Sequence, residues 1–272
     1  MKRILIIALI LGLLTSCSRE PMQGIPKGAS ENLKSDADEC NNEYFPTKLG
    51  SKWDYKVTQE EQDSQPEFFM TKTISKTDEK GFLATIDFKQ KELKDAKLET
   101  SFKCEDSSII PLEPFKAGII PANLQSEGTR LADYKTISTK GFWLPKTLET
   151  GKKWSYEVEY SVENQPNTPL KGQGELTQNY EVLGRETITV SAGTFNAVKI
   201  AQNGILKIKL QSAQKGGITI PPFSIKFEGT AWYAPNVGLV KQISSAKQMP
   251  LLPSKDNTEW KHTMELISYE IP

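Results

Sequence analysis

Alternation of apolar and polar residues is the dominant pattern of the chain from Tyr44 onward. It is most regular from Trp154 to Val162, where apolar or aromatic residues at even positions alternate with Ser and Glu at odd positions. A period of two places one side of a strand on a core and the other in water, as in antiparallel sheets. The pattern predicts a mainly β protein of antiparallel sheets, arranged as a sandwich or as an open, barrel-like curved sheet. Turn-forming pairs are predicted to separate the strands: Lys80-Gly81, Asn203-Gly204 and Pro235-Asn236.

Two segments of the chain share the pattern Gly-x-x-Trp-x-Tyr-x-Val, beginning at Gly50 and at Gly151. The period predicts that each Trp and each Tyr lies on the core face. One interpretation is a pair of duplicated β units, a first unit at residues 44–140 and a second at 141–272. The alternative is one continuous domain in which two stretches of sheet merely begin in the same way.

The N-terminus carries positive charge at Lys2 and Arg3, followed by an apolar run over residues 4–14. These features are the n-region and h-region of a secretory signal. The run is about half of the roughly 20 residues that a helix needs to cross a bilayer. We therefore expect residues 1–16 to be a cleaved signal peptide and not a retained transmembrane helix.

The segment Leu14-Thr15-Ser16-Cys17 resembles the lipobox of bacterial lipoproteins. The resemblance implies that the chain is cut before Cys17, whose thiol receives a diacylglycerol and whose new amino group is often acylated. Two or three acyl chains anchor a protein stably, whereas one does so only marginally. By the sorting rule of enteric bacteria, Ser18 implies the outer membrane, with the protein facing the periplasm of the cell envelope. The alternative is an ordinary secretory signal with a chance cysteine.

Residues 17–43 are rich in Ser, Pro, Gly, Asn, Asp and Glu and have almost no apolar period. Such a segment cannot bury enough apolar surface to order itself. We predict that it is a lipidated, flexible tether between the membrane and the folded part.

Cys40 and Cys104 remain once Cys17 is lipidated, and the cell envelope is oxidising. An even pair of cysteines there favours a disulfide, which would be worth roughly 4 kcal/mol in the chain-entropy model. Cys104 ends an alternating run that begins at Leu98, so its side chain is expected to point inward. Two unrelated buried thiols are the alternative.

Charge and motif content argue against several function classes. Lys and Arg together number 34, as do Asp and Glu, so no basic excess indicates nucleic acid as a partner. No Gly-x-Ser-x-Gly, phosphate-binding glycine loop or His-Glu-x-x-His motif occurs. The single histidine, His262, alternates with Trp260 and Met264, which favours a packing role. We predict no catalytic residue, no metal and no cofactor; a glycan hydrolase is the least favoured alternative.

Three apolar, proline-bearing stretches lie where turns are expected: Ile109 to Leu124, Ile218 to Phe223 and Met249 to Pro253. Loops usually run over the surface and are polar. These stretches could plug the end of the sheet, or they could rim an apolar mouth for a lipid or peptide. In the second case the candidate ligand contacts are Ile119, Ile120, Ile220, Leu251 and Leu252.

Val190 to Ile200 and Trp232 to Lys241 each read as strand, tight turn, strand. With the Trp-x-Tyr openings, they resemble uncharacterised β-rich lipoproteins and periplasmic proteins of bacteria. The resemblance implies structural rather than catalytic roles for the shared residues. We expect a membrane-anchored, non-enzymatic binding or scaffolding module that contacts another envelope protein. The alternative is a carrier of an apolar ligand such as lipid in a β-sheet cradle, similar in plan to periplasmic lipoprotein carriers.

Overall fold

The computed structural model describes residues 40–60, 67–89, 96–114, 134–162, 170–212, 221–248 and 259–272. The predicted signal peptide, Cys17 and the predicted tether up to residue 39 lie outside the described residues. Within the described part of the chain, none of the segments is a helix that could cross a bilayer.

The described residues form twelve strands joined in one sheet. Every neighbouring pair of strands is antiparallel, and the order is β5-β4-β3-β2-β1-β12-β11-β10-β9-β8-β7-β6. The strands are β1 (Lys52–Glu60), β2 (Glu67–Asp78), β3 (Gly81–Lys89), β4 (Ala96–Glu105), β5 (Ser108–Pro111), β6 (Tyr134–Gly141), β7 (Lys153–Val162), β8 (Leu170–Val190), β9 (Gly193–Ser212), β10 (Phe223–Ala234), β11 (Gly238–Gln248) and β12 (Glu259–Glu270).

The sheet curves until it nearly closes into a barrel, which confirms the predicted fold class. At the two edges of the sheet, Ile109 on β5 forms an isolated bridge with Leu144, which lies in the connection after β6. Thr136 on β6 also donates a hydrogen bond of 2.7 Å from its hydroxyl to the carbonyl oxygen of Leu112. The predicted units 44–140 and 141–272 share this one sheet, because β1 pairs directly with β12.

Connections in an antiparallel meander alternate between the two ends of the sheet. Those within the described residues lie at one end, which we call the closed end: 79–80, 106–107, 142–152, 191–192 and 235–237. The strand ends that flank undescribed residues, such as Glu60, Lys89 and Val162, lie at the opposite end, which we call the far end.

The segment Cys40–Pro46 lies across the closed end and packs into it. Phe45 is its main anchor, with ring centroids 5.6 Å from those of both Trp53 and Phe82. Asn42 fixes the segment from the other side, because its amide donates to the carbonyl oxygens of Ser107 at 2.8 Å and of Pro145 at 3.1 Å. The first described residues therefore close the end at which the chain enters the fold.

Cys40 and Cys104 are joined by a disulfide, with their Cα atoms 5.2 Å apart. Cys104 is near the end of β4 and is 4 % exposed. The bond ties the entering chain to a strand of the sheet at the closed end.

The β8–β9 hairpin also reaches over the closed end, since its strands have 21 and 20 residues. At its tip, the amide of Ala192 donates to the carbonyl oxygen of Leu266 on β12 at 3.2 Å. Arg185, a few residues before the tip, donates from its guanidinium to the hydroxyl of Tyr44 at 2.6 Å. Two separate parts of the chain thus cover one end of the sheet.

The repeat seen in the sequence corresponds to a repeated local structure. Gly50 and Gly151 both have positive φ angles, +85° and +83°. Their amides donate to Ile74 on β2 at 3.0 Å and to Val182 on β8 at 2.8 Å, respectively. A β-bulge follows each acceptor, between Ile74 and Lys76 and between Val182 and Gly184. The same turn and the same bulge therefore recur in both halves of the sheet.

Three of the four aromatic residues in the repeat lie in the core, since Trp53, Tyr55 and Tyr156 are buried. The predicted inward phase is therefore confirmed for them. Trp154 is only partly buried and stacks on Tyr180, with ring centroids 5.0 Å apart.

Candidate functional site

Lys72 occupies an inward position of β2, between the apolar residues Met70 and Ile74. Its register partners are Trp53 on β1 and Ile86 on β3, both in the core. Lys72 is 8 % exposed, and it is the only Lys, Arg, Asp or Glu among the buried residues of the described ranges. A buried charge without a partner is costly, so this position deserves a physical explanation.

Three aromatic rings surround the ammonium of Lys72. Its Nζ lies 4.8 Å from the ring centroid of Phe45, 5.4 Å from that of Phe102 and 5.7 Å from that of Trp143. The negative faces of aromatic rings attract a cation at such distances. Among the described residues, no hydrogen bond or ion pair of this ammonium is found. Burial lowers the pKa of Lys72 to about 8, so at neutral pH the ammonium is charged, and none of the described carboxylates pairs with it.

An apolar track leads from Lys72 toward the far end of the sheet. We define it by four inward residues: Phe68, Met70, Phe88 and Leu98. Met70 is the register partner of Phe88, and the rings of Phe68 and Phe88 are 6.2 Å apart. These side chains are partly exposed, whereas Ile74 and Ile86 nearer the closed end are fully buried. Along β2, the buried Ile74 and Lys72 are thus followed toward the far end by the partly exposed Met70 and Phe68.

A row of mostly polar residues crosses the inner face elsewhere. Successive register partners on β8, β9, β10, β11, β12 and β1 form it: Tyr180, Gln202, Gly229, Ser244, His262 and Gln59. The row could not be seen in the sequence, because its members come from six strands and are aligned only by the sheet register.

His262 is 5 % exposed within this row, and its Nε2 has no hydrogen-bond partner in the part of the chain that the structure describes. Burial lowers the pKa of His262 to about 4, so its side chain is neutral at neutral pH. The row therefore offers hydrogen-bonding groups but no positive charge under those conditions.

The outer face of the sheet carries cross-strand ion pairs. Lys207 and Glu175 are 3.3 Å apart, and Lys153 and Glu181 are also 3.3 Å apart. Such exposed pairs contribute little to stability. Glu159 accepts a hydrogen bond of 3.1 Å from Ser138 on the same face. These carboxylates are spread over the outer surface and do not converge on the inner face.

The candidate ligand contacts Ile119, Ile120, Ile220, Leu251 and Leu252 all lie outside the described residues, as does Cys17. Of the stretches that contain them, Ile109 and Ile110 belong to β5 and are buried. No group of three or more His, Cys, Asp or Glu residues within the described ranges could hold a metal ion. Lys72 and the apolar track were missed by the sequence analysis; the only signal was a lysine at an inward position of an alternating strand.

This arrangement, a strongly curved antiparallel sheet entered through a stapled closed end, has relatives among known proteins. A family model described as DUF3108-like matches residues 48–255. The protein belongs to the DUF3108-like family. Its sequence has no significant match among curated proteins.

Three solved structures illustrate the likeness. A Bacteroides fragilis protein described as a “putative exported protein with YmcC-like fold” is 15% identical, with a TM-score of 0.51 and coverage of 84% of this chain and 99% of its own. A “putative lipoprotein” of Parabacteroides distasonis is 17% identical, with a TM-score of 0.49 and the same coverages. The “hypothetical lipoprotein YmcC” of Escherichia coli is 10% identical, with a TM-score of 0.27 and coverage of 86% and 90%. The first of these shows a shared fold.

Proposed function

We propose that the protein is a lipid-anchored, non-enzymatic binding protein of the bacterial cell envelope. The observation that carries the proposal is the way the chain enters the fold. Cys40 follows the lipobox cysteine by a short segment and is bonded to Cys104 at the closed end. A chain anchored at Cys17 would therefore be tied to the membrane through its closed end, leaving the far end and the outer faces available to a partner.

The proposed location is the outer membrane, facing the periplasm, as Ser18 implies under the enteric sorting rule. The description of the Bacteroides fragilis protein as exported agrees with a place in the envelope. The proposed partner is another envelope protein, which the sheet, as a platform, would bind on its surface without catalysing a reaction.

Site-specific photo-crosslinking in the source cells tests this proposal. Phe69, near the far end, and Leu49, at the closed end, are 48% and 59% exposed, so either position accepts a photoreactive residue without loss of core packing. We expect a discrete protein adduct from position 69 and none from position 49. Adducts from position 49 alone, or from neither position, would contradict a partner bound away from the anchor.

A second candidate function is a carrier of an apolar ligand, favoured by the partly exposed apolar track on the inner face. Apolar clefts with a few polar groups are typical of ligand sites. Native mass spectrometry tests it. The protein is the chain from Ser18 onward, exported by an ordinary secretory signal peptide so that it carries no lipid anchor. We expect lipid to co-purify and to leave when the protein is unfolded and refolded. A mass equal to that of the bare chain after gentle purification argues for the platform alone.

A further inference from the structure

We propose that the inner face of β2, β3 and β4 binds a single-chain anionic amphiphile, with its carboxylate or phosphate at Lys72 and its acyl chain along the apolar track. The proposal rests on the second candidate function, the carrier, and specifies its ligand class and its site.

The buried charge of Lys72 supports an anionic ligand. Buried lysines are normally paired with a carboxylate, because removing an ammonium from water is costly. Lys72 is buried, yet its described surroundings are three aromatic rings, which attract a cation but carry no net negative charge. An anionic head group would supply the missing charge and would be bound in a low-dielectric environment, where its attraction to the ammonium is strong.

The apolar track that begins beside Lys72 supports a ligand with an acyl chain. Lys72, Met70 and Phe68 are successive inward positions of one strand, so they follow one another in a line. At about 3.3 Å per residue, the line from residue 72 to residue 68 is roughly 13 Å long. Phe88 and Leu98 on the neighbouring strands widen this line into a surface. The head group site thus lies at the buried end of an apolar surface that becomes more exposed toward the far end.

The other charged and polar positions of the sheet are less suited to an anionic head group than Lys72. His262 is neutral at neutral pH, and its row offers no cation to an anionic head group. On the outer face, lysines such as Lys207 and Lys153 already face carboxylates. Among the described residues of the inner face, Lys72 is therefore the buried cation that an anionic head group would meet.

Binding of oleate tests the proposal. The protein is the chain from Ser18 onward, without an anchor and freed of co-purified lipid, and binding is measured by displacement of a fluorescent fatty acid. The test variant is Lys72→Met, which keeps an unbranched side chain one atom shorter and removes its charge. The matched control is Lys76→Met, because Lys76 is on the same strand but exposed. We expect Lys72→Met to weaken oleate binding at least tenfold and Lys76→Met to change it less than twofold.

Two further ligands identify what is recognised. Oleoyl-lysophosphatidylglycerol carries a phosphate in place of the carboxylate, so comparing it with oleate distinguishes a lysophospholipid from a fatty acid as the better ligand. Monooleoylglycerol is uncharged, and its binding is expected to be the same in the parent and in both variants. A loss of monooleoylglycerol binding in Lys72→Met would mean that the variant disturbs the track and not the charge.

Folding is checked by the urea midpoint, which Lys72→Met should leave equal or raise, because an apolar residue replaces an unpaired buried charge. Equal oleate affinities of parent and Lys72→Met, or no binding of either anionic amphiphile by the parent, would overturn the proposal. A discrete adduct at position 69 in the crosslinking experiment would in that case still support the platform function, so the two failures are distinguishable.

Discussion

His262 is the only histidine of the chain, and it is buried with its pKa lowered from an ordinary 6.5 to about 4. As pH falls below 6.5, the unfolded chain binds a proton at this residue while the folded protein does not. The stability that is present above pH 6.5 is therefore lost progressively down to pH 4. The loss between pH 7 and pH 5 is about 2 kcal/mol.

Urea unfolding of the untagged mature chain at pH 7 and pH 5 measures this loss, with His262→Gln as the comparison. The variant should lose much less stability over the same interval, because glutamine does not titrate. Carboxyl groups titrate alike in both proteins and cancel in the difference. An equal loss in both proteins would mean that the pH dependence arises at some other group.

Trp53 and Trp154 have the same place in the sequence repeat but different burial. Trp53 is 1% exposed and donates from its indole Nε1 to the carbonyl oxygen of Val237 at 2.5 Å. We expect Trp53→Ala to reduce the free energy of unfolding by about 3–5 kcal/mol, since it leaves a large cavity. Trp154→Ala removes a partly exposed ring and should cost clearly less. Denaturant titration compares them; two variants that both melt with the parent would contradict the assigned strand phase.

Elements built on regular alternation were predictable from the sequence, because each strand position depends on its near neighbours. The run from Trp154 to Val162 became part of β7, and Tyr156, Val158 and Tyr160 are buried as predicted. The lengths of β8 and β9 were not predictable, since a bulge after Val182 lets the pairing continue past a change of phase. The predicted turn at Asn203-Gly204 is wrong, because both residues pair with β8 in the middle of β9. Pairing of β1 with β12 joins the first and the last described strand, and no local pattern encodes a contact between residues so far apart in the sequence.

The same reasoning explains why the candidate site was missed. In the sequence, Lys72 reads as a break in an alternating strand, and its meaning depends on Phe45, Phe102 and Trp143 from three other parts of the chain. The residues predicted as ligand contacts were chosen because they are apolar in loops, and they lie outside the described residues.

A glycine in β8 makes room for an aromatic ring from the neighbouring strand. Gly174 is the register partner of Tyr160, and a Cβ atom at Gly174 would lie 2.1 Å from the Tyr160 ring. We expect Gly174→Ala to destabilise the protein by about 1–3 kcal/mol, because the ring must leave its position. In a Tyr160→Ala background the same change should cost much less, which a double-mutant cycle in urea measures. Equal costs in the two backgrounds would show that the ring is not the obstacle.

The proposed anchoring is a property of the whole molecule and would depend on Cys17. We expect a fatty-acid analogue to label the parent protein in cells and not the Cys17→Ala variant, which should remain uncleaved or become soluble. In-gel detection after metabolic labelling gives the result. Ser18→Ala is a suitable control, since it leaves Cys17 in place. Label that persists in Cys17→Ala would contradict the lipobox assignment.

The disulfide closes a loop between residues 64 positions apart that contains β1, β2, β3 and most of β4. We expect the Cys40→Ser, Cys104→Ser double variant to keep the far-ultraviolet circular dichroism of the parent but to lose about 4 kcal/mol of stability, mainly through a freer unfolded chain. Thermal unfolding with and without reductant measures the loss. Alkylation of both cysteines in the unreduced parent would mean that the bond does not form.

The disulfide at the closed end also affects how the protein would bear mechanical force. A partner held at the far end and a lipid held in the membrane would pull on the fold in opposite directions. Without the bond between Cys40 and Cys104, tension would enter at Cys40, peel its segment from the closed end and then reach β1. With the bond, tension passes directly into β4, whose hydrogen bonds to β3 and β5 run across the strands. Those ladders would then be loaded in shear, many bonds at once, so the sheet would keep its shape under tension.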